Sequence, residues 1–370
     1  MSMGDYLIVG GGMTAAAAAR GIREVDATGS IAILGEEPHR PYARPPLSKA
    51  LWQGKPEESV WLELPAGVEL LSGRRAIAID RKERRVLDDR GAAHGYRKLL
   101  LATGGLPRRL PYGEGRIIYY RKLDDYRALR ALKGERVAVI GGGFIGSEIA
   151  AALAQNGKKV TMIFPDSGIC ARAFPRDLSD FVTDQYRKKG VEVLAGEGVK
   201  DAGVTTASGR RIEVDAIVAG IGIAPNVDLA RQAGLQVSDG VEVDESLRTS
   251  DPEIFAAGDV ANFYNPALGR RVRIEHEDNA NTMGAAAGRS MAGAPTKYTH
   301  LPFFYSDLFE FGYEAVGDLD SRLQTEAEWK DPFREGIIHY LAEGKVRGVL
   351  LWNTWGQVDR ARELIGRPRR

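Results

Sequence analysis

Cysteine is almost absent from this sequence of 370 residues, which contains only Cys170. A single thiol cannot form an intramolecular disulfide or a dithiol redox centre. It also cannot supply the ligands of a cysteine-rich zinc site or of a cysteine-ligated iron–sulfur cluster. The five histidines are scattered without the spacing of metal ligands, so we predict no metal site.

An excess of charge of either sign is also missing. The 51 Lys and Arg residues nearly balance the 50 Asp and Glu residues, which gives a formal net charge of +1. This balance argues against a protein that is held to nucleic acid mainly by bulk positive charge. With 44% hydrophobic and 27% charged residues, the composition is typical of a globular protein and excludes global disorder.

Long hydrophobic runs are absent, because no apolar stretch approaches the roughly 18 residues that are needed to span a bilayer. Residues 7–19 could form the apolar part of a signal peptide, but Asp5 precedes them instead of Lys or Arg, and three glycines interrupt them. We therefore interpret this segment as a buried strand that leads into a helix. A cytoplasmic protein that binds no membrane is the expectation.

Glycine, by contrast, is abundant, with 44 residues in the chain, above the usual share of about 7%. Two glycine-rich turns each lie between an apolar strand and a helix-forming segment. The first glycine turn contains Gly10, Gly12, Met13, Thr14 and Ala15. The second glycine turn contains Gly141, Gly143, Phe144, Ile145 and Gly146.

Each small residue of such a turn has a physical purpose. The first glycine permits a tight bend, the second lets a pyrophosphate approach the backbone, and the third small residue lets the helix pack closely on the strand. The helix N-terminus then offers N–H groups and a partial positive charge to the phosphates. Glycine turns also occur without a ligand, so one turn alone leaves both interpretations open, whereas two favour dinucleotide binding.

An acidic residue follows the second strand of each unit, namely Glu36 or Glu37 in the first and Asp166 in the second. A carboxylate at this position can accept hydrogen bonds from both hydroxyls of an adenine-side ribose. The alternative is a solvated carboxylate in a turn. Because Asp166 would repel a 2′-phosphate, we predict that the second unit prefers NADH to NADPH, although Arg172 follows a few residues later.

The distance between the two units, about the length of one domain, predicts two nucleotide-binding domains. Beyond residue 226 the pattern changes to short strands, and a helix is predicted over 279–291. In the tail, strand-like runs at 336–341 and 346–352 precede a predicted helix at 357–365. The predicted fold class is α/β, with two Rossmann-like dinucleotide-binding domains and a C-terminal α+β domain.

Several motifs are spread along the whole chain. They lie at 41–49 (PYARPPLSK), 102–105 (ATGG), 141–148 (GGGFIGSE), 257–259 (AGD), 305–307, 312–317 and 351–353. Together they make the chain resemble the flavoproteins with two dinucleotide-binding domains, in the branch of apoptosis-inducing factor, ferredoxin reductase and rubredoxin reductase. The tail segments look closest to apoptosis-inducing factor.

The resemblance implies a domain order. An FAD-binding domain would comprise residues 1–123 and 241–296, with an inserted NAD-binding domain at 124–240 and a C-terminal α+β domain at 297–370. FAD would bind the first unit, and NADH would bind the second. Because the chain lacks a second cysteine, it cannot be one of the disulfide reductases of the family, and electrons must leave for an external acceptor.

The resemblance also implies a set of cofactor-binding residues. They are Gly10, Gly12, Met13, Thr14, Ala15, Glu36, Glu37, Arg44, Lys49, Ala102, Thr103, Gly104, Arg121, Gly141, Gly143, Phe144, Ile145, Gly146, Glu148, Asp166, Gly222, Gly258, Asp259, Glu275, His276, Glu277 and Tyr305. Among them, Arg44 and Arg121 would contact FAD, and Asp259 would hold a ribityl hydroxyl. The alternative for Asp259 is a helix N-cap.

Lys49 and Glu148 form the predicted catalytic pair. The family places these two residues as a salt bridge beside the reactive end of the flavin, where the nicotinamide approaches. A positive charge there would stabilise the negative charge of the reduced flavin. The alternatives are a solvated lysine and an ordinary acid in the first turn of a helix.

Of three positions near the nicotinamide site that the resemblance implies, one matches the family and two differ from many of its members. Glu275 matches a family glutamate near the carboxamide. At Glu277, reductases commonly have Trp and apoptosis-inducing factor has His, while Tyr305 stands where many members have Trp. An indole for stacking is therefore missing at Glu277, and the ring of Tyr305 replaces it only in part at the other position.

From these features we predict an FAD-dependent oxidoreductase that takes hydride from NADH and passes electrons to a small redox protein of the ferredoxin or rubredoxin type. The alternative is an NADH-responsive flavoprotein of the apoptosis-inducing-factor type, in which a long-lived charge-transfer complex changes partner binding. Peroxide or oxygen reduction at Cys170 is disfavoured, because this residue is far in sequence from the flavin motifs. Either a monomer or a homodimer is compatible with the sequence.

Overall fold

The structure, a computed structural model, describes residues 4–295 and 297–369, in two compact units that each combine three segments of the chain. The segments of the first unit are Met1–Ala43, Glu57–Leu106 and Ala224–Pro302. The segments of the second unit are Arg44–Pro56, Pro107–Ile223 and Phe303–Arg370. Two short strands, Gly105–Pro107 and Ile223–Pro225, lie where the chain passes from one unit to the other.

A parallel sheet is the centre of the first unit. Its parallel strands, in spatial order, are Val68–Ser72, Ile31–Gly35, Gly4–Val9, Ala93–Leu101 and Ile254–Ala256. Residues 6–9 and 99–101 are buried, as expected for strands covered on both faces. Two antiparallel strands, Arg85–Asp88 and Ala76–Asp80, extend the sheet beyond the N-terminal half of Ala93–Leu101.

Two long helices of the first unit pack closely together, Met13–Arg23 and Glu277–Met291. Glycines make this approach possible, because a Cβ on Gly21 would lie 2.2 Å from the carbonyl oxygen of Ala285. The remaining elements of this unit are the helix Asp228–Gln232, the 3-10 helices Glu57–Val60 and Gly258–Val260, and the strands Val237–Ser238, Gly240–Glu242, Ala261–Asn265 and Arg270–Val272.

The second unit contains a five-stranded parallel sheet. Its strands, in spatial order, are Glu192–Ala195, Lys159–Phe164, Arg136–Ile140, Ala216–Ala219 and Ile117–Tyr119. Its other elements in this region are the helices Leu123–Arg130, Phe144–Gln155 and Arg176–Lys188 and the 3-10 helix Pro45–Ser48. The apolar run 137–140 forms the central strand, which leads directly into the second glycine turn.

An antiparallel sheet also belongs to the second unit. Its strands, in spatial order, are Phe303–Leu308, Phe311–Gly317, Lys345–Trp352, Glu335–Ala342 and Gln324–Asp331, followed in sequence by the helix Val358–Leu364. Buried aromatic rings fill one of its faces, with Trp352 stacked on both Phe311 and Tyr313. The strand Phe303–Leu308 lies at the edge of this sheet.

The predicted fold class is confirmed, since two strand–glycine turn–helix elements lie in parallel sheets and an antiparallel sheet follows in the tail. The helix predicted at 279–291 begins two residues earlier, at Glu277, where two acidic residues favour a helix start. No helix within residues 4–295 and 297–369 is long and apolar enough to cross a membrane. The domain boundaries stay a prediction.

Candidate functional site

The first glycine turn is shaped for a ligand that approaches the backbone. Gly10 has φ of +120°, and a Cβ there would lie 2.1 Å from the carbonyl oxygen of Ala102, so the site requires glycine. Gly12 precedes the helix Met13–Arg23, which no side chain caps, and a Cβ on Gly12 would meet nothing within 4 Å. The turn therefore leaves open space at a helix N-terminus, where phosphates bind favourably.

The second glycine turn repeats this geometry. Gly141 has φ of +115°, and a Cβ there would lie 2.4 Å from the carbonyl oxygen of Gly220. A Cβ on Gly143 would meet nothing within 4 Å, while one on Gly146 would lie 2.1 Å from the carbonyl oxygen of Gly141. The structure thus shows the tight turn at Gly141 and the close approach at Gly146 that the sequence predicts, with open space at Gly143. Next to Gly143, Phe144 packs against buried aromatic rings.

The turn at Gly258 and Asp259 lies directly on the first glycine turn. Gly258 has φ of +77°, and a Cβ there would lie 2.3 Å from Thr14 Oγ1. Asp259 lies inside the 3-10 helix Gly258–Val260, which begins after Ala257, so its N-cap alternative is wrong. The structure thus places Gly258, the residue before Asp259, against Thr14 of the first glycine turn.

The two glutamates after the first unit differ in their surroundings. Tyr42 donates a hydrogen bond of 2.6 Å from its hydroxyl to Glu37 Oε2, and the amide of Gly73 donates to the Glu37 carbonyl. The side chain of Glu36 is exposed. This contrast favours Glu36 as the carboxylate that is presented to a ligand and Glu37 as a residue that fixes the turn.

Asp166, at the end of the strand Lys159–Phe164, forms an ion pair with Arg172. The distance between Arg172 Nε and Asp166 Oδ1 is 2.9 Å, and the arginine side chain is 81% exposed, whereas that of Asp166 is 31% exposed. The carboxylate is therefore accessible to a ribose, and the guanidinium beside it is the group that could offset repulsion of a 2′-phosphate.

Lys49 and Glu148 form a buried ion pair, as the family resemblance implies. The distance from Lys49 Nζ to Glu148 Oε2 is 2.7 Å, and their side chains are 11% and 3% exposed. Ser48 Oγ donates to the same oxygen at 2.5 Å, and Ser306 Oγ donates to Glu148 Oε1 at 2.6 Å. Lys49 Nζ also lies 5.3 Å from the ring centroid of Tyr305, a cation–π contact.

Local sequence explains how these groups are presented. The prolines at 45 and 46 begin the 3-10 helix Pro45–Ser48, so that Ser48 and Lys49 follow one another at its end. Glu148 lies one turn inside the helix Phe144–Gln155, and Ser306 lies on the edge strand Phe303–Leu308. Three segments that are distant in sequence therefore meet at one carboxylate.

Four ionisable groups near Glu148, one thiol and three tyrosine hydroxyls, are uncharged near neutral pH. Burial raises the pKa of the Cys170 thiol to about 12, and it raises the pKa values of the hydroxyls of Tyr120, Tyr186 and Tyr313 well above their usual range. Burial also raises the pKa of Asp307, which Lys49 opposes and Glu148 reinforces. Asp307 is thus a further carboxyl group that faces the pair.

The expected nicotinamide residues lie in and before the helix Glu277–Met291. Arg273 donates to Glu275 at 2.5 Å and to Asp239 at 2.9 Å. Burial lowers the pKa of His276 to about 4, although Asp259 and Asp278 oppose the shift, so this imidazole is neutral at physiological pH.

Asp278 is itself paired with His300 at 2.6 Å, and neither of these two residues was predicted from the sequence. Asp278 directly follows Glu277, but His300 lies 22 residues later, so no local sequence pattern identifies the pair.

Several other predicted residues lie in loops, while Ile145 lies in the helix Phe144–Gln155. Arg44 donates from its guanidinium to the carbonyl oxygen of Arg121 at 2.9 Å. Ala102, Thr103 and Gly104 lie in the turn after the strand Ala93–Leu101. In this turn, Thr103 Oγ1 donates to the carbonyl oxygen of Asn226 at 2.7 Å. Gly222 has φ of +86° and accepts a hydrogen bond from the amide of Arg108. Ile145 is among the exposed large hydrophobic residues.

Comparison with known proteins agrees with this geometry. Residues 4–284 match the family described as pyridine nucleotide-disulphide oxidoreductase, and residues 287–331 match the family described as apoptosis-inducing factor, mitochondrion-associated, C-term. The chain belongs to the pyridine nucleotide-disulphide oxidoreductase family. The resemblance inferred from the sequence motifs is therefore confirmed.

Relatives of two kinds are similar over nearly the whole chain. The chain is 37% identical to the ferredoxin–NAD(+) reductase component of the anthranilate 1,2-dioxygenase system of Burkholderia cepacia, over 99% of this chain and 95% of that protein. It is 35% identical to apoptosis-inducing factor 1, mitochondrial, of Dictyostelium discoideum, over 97% of this chain and 78% of that protein.

Solved structures support the same family. The covalent putidaredoxin reductase–putidaredoxin complex contains a chain with a TM-score of 0.91 and 31% identity, and the match covers 99% of this chain and 93% of that one. The ferredoxin reductase for the CYP199A2 system of Rhodopseudomonas palustris has a TM-score of 0.87 and 31% identity, with 94% and 91% covered.

This pyridine nucleotide oxidoreductase is therefore an FAD- and NAD(P)H-dependent enzyme, as expected from the sequence. The two glycine turns fit two dinucleotides, because each combines a backbone that only glycine permits with open space at an uncapped helix N-terminus. The family description mentions a disulphide, but one cysteine cannot form a redox dithiol.

Cys170 is predicted to be chemically inert in the folded protein. It is buried, and because its pKa is raised to about 12, almost none of it is thiolate at pH 8. We expect an aromatic disulfide reagent to detect no thiol in the native protein and one thiol per chain after unfolding in guanidinium chloride. A rapid native reaction would contradict the buried environment of the thiol.

Proposed function

We propose that this protein takes a hydride from NADH, passes it to bound FAD and delivers the electrons to an iron–sulfur protein of the ferredoxin type. The observation that carries the proposal is the presence of two glycine turns with open helix N-termini in a chain that has a single, buried cysteine. With no dithiol in the chain, electrons that enter from NADH leave for an external acceptor.

The first glycine turn would hold FAD. Gly10, Gly12 and Ala15 would admit its pyrophosphate to the helix N-terminus, since the helix Met13–Arg23 has no side-chain cap. The exposed carboxylate of Glu36 would accept the ribose hydroxyls, and Asp259 would accept a hydroxyl of the ribityl chain. When bound, FAD supplies a group that accepts a hydride and returns electrons singly.

The second glycine turn would hold NADH. Gly143 would admit the pyrophosphate, while Asp166 would accept the ribose hydroxyls and repel a 2′-phosphate. The partner Arg172 weakens this repulsion only in part, because its own charge is already paired with Asp166 and is largely exposed to solvent. We therefore infer a preference for NADH over NADPH.

The Lys49–Glu148 pair would stabilise the charge that hydride transfer develops. The ammonium of Lys49 is fixed by Glu148 and by the ring of Tyr305, so its orientation needs little reorganisation during the reaction. Low exposure strengthens its field relative to that of a lysine in water. In the family, this pair is beside the reactive end of the flavin, and the same placement is our proposal for this chain.

Other predicted residues would complete the cofactor sites. Tyr305 offers an aromatic face where many relatives have Trp, and Glu277 offers a carboxylate where an aromatic or imidazole ring is common. The other residues proposed to line the sites are Met13, Thr14, Glu37, Arg44, Ala102, Thr103, Gly104, Arg121, Phe144, Ile145, Gly222, Gly258, Glu275 and His276.

An electron acceptor of the ferredoxin type is supported by the relatives. Several are named as ferredoxin or putidaredoxin reductases, and one similar structure is of a putidaredoxin reductase in complex with putidaredoxin. A second candidate function, NADH sensing, is favoured by the match of residues 287–331 to apoptosis-inducing factor. The cytoplasmic location and the oligomeric state stay predictions.

Anaerobic stopped-flow mixing tests the proposal. The purified protein is expected to contain about one FAD per chain, to be reduced faster by limiting NADH than by equal NADPH, and to reduce an added [2Fe–2S] ferredoxin in a second mixing step. The spectrum of the oxidised ferredoxin should disappear as that of oxidised flavin returns.

Other results of the same experiment would contradict the proposal. A folded protein that cannot take up FAD would contradict the cofactor assignment. A long-wavelength charge-transfer band that persists for minutes, with no electron transfer to several ferredoxins, would support the sensing function instead. Faster reduction by NADPH would show that Arg172, and not Asp166, determines the coenzyme preference.

Replacement of Lys49 by Ala is expected to slow flavin reduction by NADH about tenfold, or ~1.4 kcal/mol in barrier, while FAD content stays unchanged. The reason is that the ammonium stabilises charge most when it has fully developed. Lys158 supplies a matched control, since its ammonium donates to the backbone carbonyls of Leu132 and Gly134 and forms no ion pair within residues 4–295 and 297–369. If NADH reduces the flavin of Lys49→Ala and of Lys158→Ala at the wild-type rate, Lys49 has no catalytic role.

A further inference from the structure

Two serine hydroxyls contact the ion pair without a role in the function proposed above. Ser48 donates to Glu148 Oε2 at 2.5 Å, the oxygen that Lys49 also contacts, and Ser306 donates to Glu148 Oε1 at 2.6 Å. Ser306 is the sole donor that the structure assigns to Oε1 among the described residues. Both oxygens of this carboxylate are thus satisfied by three donors from two segments, since Ser48 and Lys49 are neighbours in sequence.

A buried carboxylate needs such donors. The side chain of Glu148 is only 3% exposed, and a charge removed from water is unfavourable unless ion pairing and hydrogen bonds compensate it. Lys49 compensates the charge at one oxygen only. Hydrogen bonds to the ionised form favour ionisation, and neutral hydroxyls provide them without adding a second positive charge.

We propose that Ser306 and Ser48 are positioning residues that keep Glu148 ionised and thereby hold the Lys49 ammonium in its orientation. Neither serine needs to contact a cofactor for this role. The inference rests on the proposed function for its kinetic consequence, whereas its consequence for protein stability is independent of that function.

Few other groups near Glu148 can titrate between pH 5 and pH 9. Tyr120, the thiol of Cys170, Tyr186 on the helix Arg176–Lys188 and Tyr313 on the strand Phe311–Gly317 all face it, and burial keeps them neutral. Lys49 supplies the facing positive charge. A further carboxyl group is that of Asp307, which is next to Ser306 in sequence. Asp307 interacts with both members of the pair.

Loss of the Ser306 hydroxyl should make Glu148 easier to protonate. In Ser306→Ala, the rate constant of flavin reduction by NADH should therefore fall about fivefold as the pH decreases from about 8 to about 5.5. The wild type should lack this decrease, and Ser48→Ala should show it in the same direction.

Thermal unfolding of the FAD-bound protein gives a readout that does not depend on activity. At high pH, Ser306→Ala contains a buried carboxylate that lacks one donor, whereas at low pH the carboxylate is protonated. Because the buried carboxylate is protonated more readily than the same group in the unfolded chain, the folded variant binds more protons at low pH. Its stability therefore decreases as the pH rises. Its melting temperature should be further below that of the wild type at pH 8 than at pH 5.5.

Matched variants identify the titrating group. Ser179 is as buried as Ser306, at 1% exposure, and donates to the carbonyl oxygen of Ile169, so Ser179→Ala controls for loss of any buried hydroxyl. Ser306→Thr keeps a hydroxyl and should restore wild-type behaviour. Combining Ser306→Ala with Glu148→Gln should remove the new pH dependence, whereas combining it with Asp307→Asn should leave it.

The pH profiles of these variants can overturn the positioning role of Ser306 and Ser48. A wild-type pH profile in both Ser306→Ala and Ser48→Ala, or equal effects in Ser179→Ala, would overturn the proposal. Persistence of the pH dependence in the Glu148→Gln combination would overturn it as well. If NADH does not reduce the wild-type flavin, the proposed function fails, and the melting temperatures of Ser306→Ala against pH still test the positioning role.

Discussion

The buried carboxylate of Glu148 is the shared partner of Lys49, Ser48 and Ser306 in the second unit. An ionised group with 3% exposure is unfavourable by itself, and its partners come from the end of the 3-10 helix Pro45–Ser48 and from the strand Phe303–Leu308. Removal of any one partner leaves part of a buried charge uncompensated. The carboxylate therefore fixes the mutual positions of three segments that are separated by about 100 residues or more.

Under the proposed function, the Lys49–Glu148 pair stabilises the charge of the reduced flavin. The ammonium of Lys49 lies against Tyr305 and Glu148, and the surrounding tyrosines and Cys170 stay neutral because they are buried. The pair therefore supplies the principal fixed charges near neutral pH, with Asp307 as a further carboxyl group. A fixed ammonium is effective because its field exists before the reacting charge develops.

The sequence predicts those parts of the molecule that depend on local pattern. Both glycine turns are predictable, because a tight turn at Gly10 or Gly141 and close helix packing at Gly146 admit almost no other residue. The helix predicted at 279–291 and the tail strands are recognisable from apolar periodicity. The Lys49–Glu148 pair required the family resemblance, since nothing local joins residues so distant in sequence.

Contacts that arise only on folding could not be predicted. The choice between Glu36 and Glu37 depends on the hydroxyl of Tyr42, which reaches Glu37 in the folded chain. The donors to Glu148 were also missed, although Ser306 is next to Tyr305 and is part of a recognised motif. A serine beside a functional residue has no distinguishing pattern, and only the position of the buried carboxylate identifies it.

The reduction potential of bound FAD tests most directly whether the Lys49–Glu148 pair acts on the flavin. Lys49→Met removes the positive charge and should make the two-electron potential more negative, whereas Glu148→Gln leaves the ammonium uncompensated and should make it more positive. Each displacement should be on the order of 30 mV, which corresponds to about 1.4 kcal/mol for two electrons. Equal potentials in the wild type and both variants would show that the pair does not face the flavin.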